Sequence, residues 1–113
     1  MNFKVKVNMR TMDIINATTA SQSIKDCKED IIVTGLAIVE DGGTNADHET
    51  CDVGYIASDH GVFGFVSSVM LRNLPLLADY LKECLDAGEV CKIRFISGKT
   101  KDENEFYSFV ITE

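Results

Sequence analysis

No apolar run in this chain approaches the roughly 18 residues that a membrane helix needs. The N-terminus, Met1-Asn2-Phe3-Lys4-Val5-Lys6, carries no signal-peptide apolar stretch either. These absences lead to the expectation of a cytoplasmic protein with no membrane partner. The four cysteines, Cys27, Cys51, Cys84 and Cys91, form no C-x-x-C pair, and His48 and His60 belong to no ligand motif. No metal or other cofactor is therefore expected, and the thiols read as small buried or half-buried side chains. Nucleophile elbows, Walker loops and H-E-x-x-H are missing, and no cysteine has a histidine at a recognisable spacing. Acidic pairs such as Glu40-Asp41 fall in a polar loop, where solvation explains them better than paired-carboxylate catalysis. An enzyme is not expected. Positive charge is also short: 11 basic against 18 acidic side chains give −7. Alone, that argues against a nucleic-acid partner. Net charge is a sum, however, and a binding face needs only a local excess.

What is present fits one domain of 113 residues, read as an N-terminal arm over 1–29 and a barrel over 30–113. Phe3, Val5 and Val7 alternate with Lys4 and Lys6, as in a half-buried strand or an arm laid on the domain. Residues 11–17 can hold a helical turn capped by Thr11, and residues 18–23 read as loop. Asp30 to Val39 is a clear strand that Gly35 should bulge or bend. A polar acidic loop, Glu40 to Thr50, follows. Cys51 to Ala57 and Val62 to Val66 are strands joined by the turn Ser58-Asp59-His60-Gly61. Met70, Leu74, Leu77, Leu81 and Cys84 recur at helical spacing. The chain's one proline, Pro75, belongs in a first turn, so the helix is expected over about 73–87, from an Asn73 cap to Gly88. Glu89 to Ser97 is a strand with Cys91, Ile93 and Phe95 inward. A loop with two lysines, Gly98 to Asn104, leads to a closing strand from Glu105 to Thr112. The order β-β-β-α-β-β after an arm predicts an all-β fold with one helix, an OB-like five-stranded barrel.

With no catalytic constellation, the remaining candidate is a binding surface. Single-stranded nucleic acid is held by aromatic stacking and by lysine or arginine along the phosphates. A symmetric turn at 58–61 sets Ile56 across from Phe63 and Gly54 across from Phe65. That face would carry Ile56, Phe63 and Phe65, with Tyr55 beside it, although Tyr55 has the stronger core tendency. Strand four adds Lys92 and Arg94, and the following loop adds Lys99 and Lys101. The competing readings of the two rings are packing under the arm, a contact between protomers, and, after a one-residue slip, the barrel core. For the lysines the competing reading is a solvated face.

Several stretches run in a familiar order: IINATTASQSIK (residues 14–25), Ile31-Ile32, Ala37-Ile38, ASDHGVFGFVS (residues 57–67), the lysine-alternating strand, Gly98-Lys99-Thr100-Lys101, and EFYSF (residues 105–109). Together they resemble the small single-stranded-DNA-binding proteins of the Bacillus phages that replicate linear genomes by protein priming. The resemblance spans most of the chain, from about residue 13. It implies an OB-type fold, no catalysis, and sequence-independent binding of displaced single strands in phage or prophage replication, with replication proteins as further partners. It places Phe63 where the family has a stacking tyrosine, Lys25 at phosphate, and Asp59 and Ser67 in structural positions. The chain departs from the family in lacking tyrosines over residues 40–50 and in placing Pro75 in the helix. The acidic 40–50 stretch motivates the alternative, an interaction module docking on a replication or host-defence protein. Homo-oligomerisation is left open by an apolar Ile56-Phe63-Phe65 face.

Overall fold

Residues 2–102 and 105–112 are described by the structure, a computed structural model. Glu103 and Asn104, at the end of the expected 98–104 loop, lie outside the described residues, as do Met1 and Glu113. The chain runs β1 (Phe3–Val7), α1 (Thr11–Ala20), β2 (Gln22–Ser23), a 3₁₀ turn (Ile24–Asp26), β3 (Asp30–Thr44), β4 (Thr50–Ser58), β5 (Gly61–Phe65), α2 (Ser68–Ala87), β6 (Cys91–Lys99) and β7 (Glu105–Ile111). From β3 onward this is the expected β-β-β-α-β-β order. The strands form one curled sheet in the order β2-β5-β4-β3-β6-β7, with β1 paired to β3. This half-barrel, with a helix after its third long strand, is an OB-like all-β fold.

The long strand β3 holds the sheet together. Its first part, Asp30 to Val33, pairs antiparallel with β6, and Leu36 to Val39 pairs with β1, while β4 runs along much of its length. The change of partner falls at Gly35, where the β4 register shifts. A Cβ there would sit 2.6 Å from the Asn8 carbonyl oxygen and 2.7 Å from Met9 Cγ, so the chain entering from β1 requires glycine at the bend. The acidic stretch expected as a loop is mostly paired strand. Only residues 45–49 turn the corner, where Asn45 Oδ1 accepts from the Asp47 and Glu49 amides. This Asx-type closure explains how a run whose one apolar side chain is Ala46 stays in a hairpin.

Two helix expectations need correcting. The N-terminal segment is a full helix, α1, rather than one turn followed by a loop. Asp13 accepts from the Arg10 amide and side chain, satisfying the entry that Thr11 was expected to cap. The second helix begins at Ser68, five residues before the expected start. Ser67, which reads as a strand exit, accepts from the Met70 amide, and Met70 and Leu74 already point into the core. Pro75 lies inside α2 and is exposed, so the loss of one backbone donor there falls on the solvent side. At the other end Gly88, at φ 69°, donates to the Cys84 and Leu85 carbonyls, as expected of a helix-ending glycine.

The sheet is covered on both faces. Its concave side and α2 share one core, including Ile31, Leu36, Ile56, Phe63, Met70, Leu74, Leu77, Cys91, Ile93 and Phe95. On its other side α1 contributes Ile14 and Ala17 to a second cluster with Met9, Ala37, Val39, Val53 and Tyr55. Among the described residues no helix is long and apolar enough to cross a membrane. Cys84 and Cys91 are buried and Cys27 and Cys51 half-buried, as expected of unpaired thiols. Burial pushes the Cys91 thiol up to about 12.

Candidate nucleic-acid interface

The register read from the hairpin is the one observed, with Ile56 opposite Phe63 and Gly54 opposite Phe65. Its exposure is the reverse of the expectation. Phe63 is 1% exposed, Ile56 0% and Phe65 7%, and all three lie in the main core. Phe63 meets Phe95 edge to face, with ring centroids 5.2 Å apart. The opposite face of β5 turns Val62 toward α1, and Tyr55 is buried in that second cluster. Neither side of the β4–β5 hairpin therefore offers Phe63, Phe65, Ile56 or Tyr55 to a flat ligand. The physical reason is volume. The two phenyl rings fill the small curled sheet, and α1 covers the face left over.

The cations expected around those rings do not share one track. Positions 92 and 94 lie on one face of β6 and position 99 on the other, because the β6–β7 register is unbroken from 93 to 99. Arg94 Nε donates to Asp30 Oδ1 at 2.6 Å, which engages its charge locally. Lys92 is half-buried opposite Ile32, Lys99 lies opposite Glu105, and Lys101 is exposed in the following turn.

Lys25 is different. An OB barrel would close by joining the third and fifth barrel strands, here β5 and β7. Among the described residues no strand pairing joins them, since β7 pairs only with β6 and β5 takes β2 as its outer neighbour. The Gln22–Asp26 segment occupies the edge of this gap, with Ile24 buried in the core and Lys25 outside. Lys25 Nζ stands 5.5 Å from the centroid of the Tyr107 ring across the seam. A groove of about 440 Å³ opens there, lined by Lys25, Val66, Ser67, Phe106 and Tyr107, with Phe65 at its floor. Both Phe106 and Tyr107 are half-buried. The Tyr107 hydroxyl donates to Glu105 Oε1 at 2.9 Å, which holds the phenol protonated above its usual range.

Sequence reasoning did not single out Tyr107, which alternation in EFYSF puts on the same face as Phe109. The available signal was its partner. Tyr107 pairs with Ser97, one step beyond the Phe95–Phe109 pair, where the inward apolar set ends.

The turn at the far end of the hairpin is a polar clasp. Asp59 Oδ1 accepts from the Ile32 amide at 2.9 Å, the structural part expected of it. His60 reaches Asp59 through Nδ1 and Glu29 through Nε2, both at 2.9 Å, and the Gln22 side-chain amide donates to the His60 carbonyl. Two carboxylates at the two ring nitrogens suit an imidazolium, so Asp59 first, then Glu29, raises the His60 pKa above 6.5. A raised folded pKa means the clasp stabilises the fold fully below about pH 6.5 and loses that contribution as pH rises through the folded value. The urea midpoint of the wild type should therefore fall between pH 6 and pH 8 by more than that of His60→Gln. Equal pH dependence in the two proteins would show that the clasp is not charged. Among the described residues no group of three or more His, Cys, Asp or Glu side chains is placed to hold a metal ion.

Compared with known proteins, the chain matches no family model, no curated protein and no solved structure.

Proposed function

We propose that this protein binds single-stranded DNA without sequence preference, through the open seam between β5 and β7. The observation that carries the reading is the Lys25–Tyr107 pair at the mouth of the groove, with Phe106 beside it. A ring with one accessible face accepts any base by stacking, and a lysine ammonium next to it meets the adjoining phosphate as a point charge. Glu105 also lines the groove, where it accepts from the Tyr107 hydroxyl, and the rest of the lining is small or apolar, which favours sequence tolerance over base-edge readout. Lys25, Lys28, Lys99 and Lys101 are exposed on or near the seam and the β6–β7 turn but alternate with exposed Asp26, Glu29, Asp102 and Glu105, so the reading rests on the Lys25–Tyr107 contact and not on a local excess of positive charge. The finer reading, protection of displaced strands in phage or prophage replication with no catalytic step, rests on the order of the sequence stretches quoted above.

Titration of fluorescein-labelled oligo-dT at low salt tests this. Saturable anisotropy is expected, weakening as salt rises because each neutralised phosphate releases counterions. Tyr107→Ala should bind about five- to tenfold more weakly, near the low end for a stacking ring because Tyr107 is half-buried. Tyr107→Phe should bind like wild type, since stacking needs the ring and not the hydroxyl bond to Glu105. No saturable signal at micromolar protein would remove the DNA reading. Attention would then pass to protein docking by the acidic β3–β4 hairpin, where Glu40, Asp41, Asp47 and Glu49 are exposed.

A further inference from the structure

A second groove, of about 580 Å³, lies on the other side of the first turn of α2. Its floor is apolar, from Val5, Ile38, Leu71 and Pro75, and its rim carries Lys4 and Arg72. Ser68 lines both this groove and the seam, so one residue separates them. Arg72 follows Ser68 by four positions and therefore stands on the same side of α2. Among the described residues the one carboxylate lining the second groove is Asp52, which is paired with Lys4 at 2.7 Å. The lining itself carries two cations and one carboxylate, with the exposed Glu40 and Asp41 near enough to Lys4 to help hold its proton, so the cation left for a phosphate is Arg72. Lys4 is engaged in that pair, and its proton is held more tightly because of it. Arg72 is exposed, and among the described residues no carboxylate pairs with it.

We infer that a single strand leaving the seam continues over Ser68 into this second groove, where Arg72 receives a phosphate and the Leu71-Pro75 surface receives a base. This rests on the seam as the binding site and deepens it, turning a one-base contact into a path. Its warrant is charge complementarity on an otherwise apolar surface, together with continuity through a shared residue. Among the described residues the groove's lining carries no carboxylate but the paired Asp52, while Glu40 and Asp41 lie toward the Lys4 end, so the path is expected on the Arg72 side. Because the floor has no aromatic ring, the second groove should add phosphate contact more than stacking.

Chain length separates this inference from the reading it rests on. OB-type domains occupy about 4–16 nucleotides. An oligo-dT of about four nucleotides can fill the seam alone, whereas one of about twelve can reach Arg72. Arg72→Ala should leave binding of the short oligonucleotide unchanged. It should weaken the long one severalfold and lower its salt slope by about 0.7, the value for one phosphate on a single strand. Arg72→Lys should restore most of the loss, because a point charge suffices at a phosphate. Arg72 is exposed, so an unchanged melting curve is expected and serves as the folding control. If Tyr107→Ala weakens both lengths but Arg72→Ala weakens neither, the path ends at the seam and this inference is wrong while the seam reading stands. If Arg72→Ala weakens both lengths equally, the effect is general electrostatics and the path is again rejected. Absence of oligo-dT binding at any length would remove both.

Discussion

Phe63→Ala should lose about 3–5 kcal/mol of folding stability, the range for emptying an aromatic site in a packed core. Phe63 is 1% exposed and meets Phe95 edge to face inside the main cluster. Truncation removes the transfer free energy of the ring and leaves a cavity that Ile56, Phe95 and the facing α2 residues can close only in part. A single domain commonly has about 5–15 kcal/mol in total, so the loss takes a large share. Urea denaturation followed by circular dichroism reads it as a lower midpoint. Should the variant fail to fold, Phe63→Leu, which keeps much of the volume, should show a smaller loss in the same direction. The opposite pattern, full stability with weakened oligo-dT binding, would place the ring at the surface and revive the hairpin face as the site. Reduced affinity in a destabilised variant says nothing of stacking, because it follows from the smaller folded fraction.

The fate of Phe63 also shows what a sequence of this kind can and cannot specify. Pairing was legible: turn residues at 58–61 fix the β4–β5 register, and Gly35 and Gly88 mark a bend and a helix end by rules local to the chain. The inward set Cys91, Ile93 and Phe95 was legible for the same reason, since charged neighbours alternate with it. Which face of β5 points inward was not, because both faces are apolar and both are covered. That decision depends on α1, whose signal is weak. Its segment is rich in β-branched and short polar residues, enters without a Ser, Thr, Asp or Asn cap, and buries only Ile14 and Ala17. The seam was hidden for a different reason. Whether a curled sheet closes depends on how β5 and β7 approach each other in space, and no local pattern in either strand encodes a missing pairing. In the sequence Lys25 is singled out by the resemblance alone, and Tyr107 is not singled out at all. Only the tertiary arrangement brings them together.

Gly54→Val should cost at or above the upper end of the about 1–3 kcal/mol typical of overpacking. Gly54 is buried on β4 directly opposite Phe65, and the ring lies across the space a side chain would take. A Cβ there would overlap Phe65 Cε2 and stand 2.7 Å from Phe65 Cζ and 3.1 Å from Leu71 Cδ2, and valine adds two further methyl groups to that crowding. The missing side chain is thus part of how a large ring fits in a narrow sheet: glycine on one strand makes room for phenylalanine on the next. The pair should behave as a unit. In a double-mutant cycle, Phe65→Leu should recover part of the loss in the Gly54→Val background, with a coupling energy of about 0.5–3 kcal/mol. Additive losses would mean that the ring does not rest on Gly54. The same cycle bears on the seam. Phe65 contributes to its floor yet is 7% exposed, so its ring is held down against β4 rather than standing in the groove. Phe65→Leu alone should then lower stability while leaving oligo-dT affinity of the folded protein near the wild-type value. Tyr107→Ala should lower affinity more than stability. Two aromatic residues lining one groove would thereby separate into one that shapes the sheet and one that meets the strand.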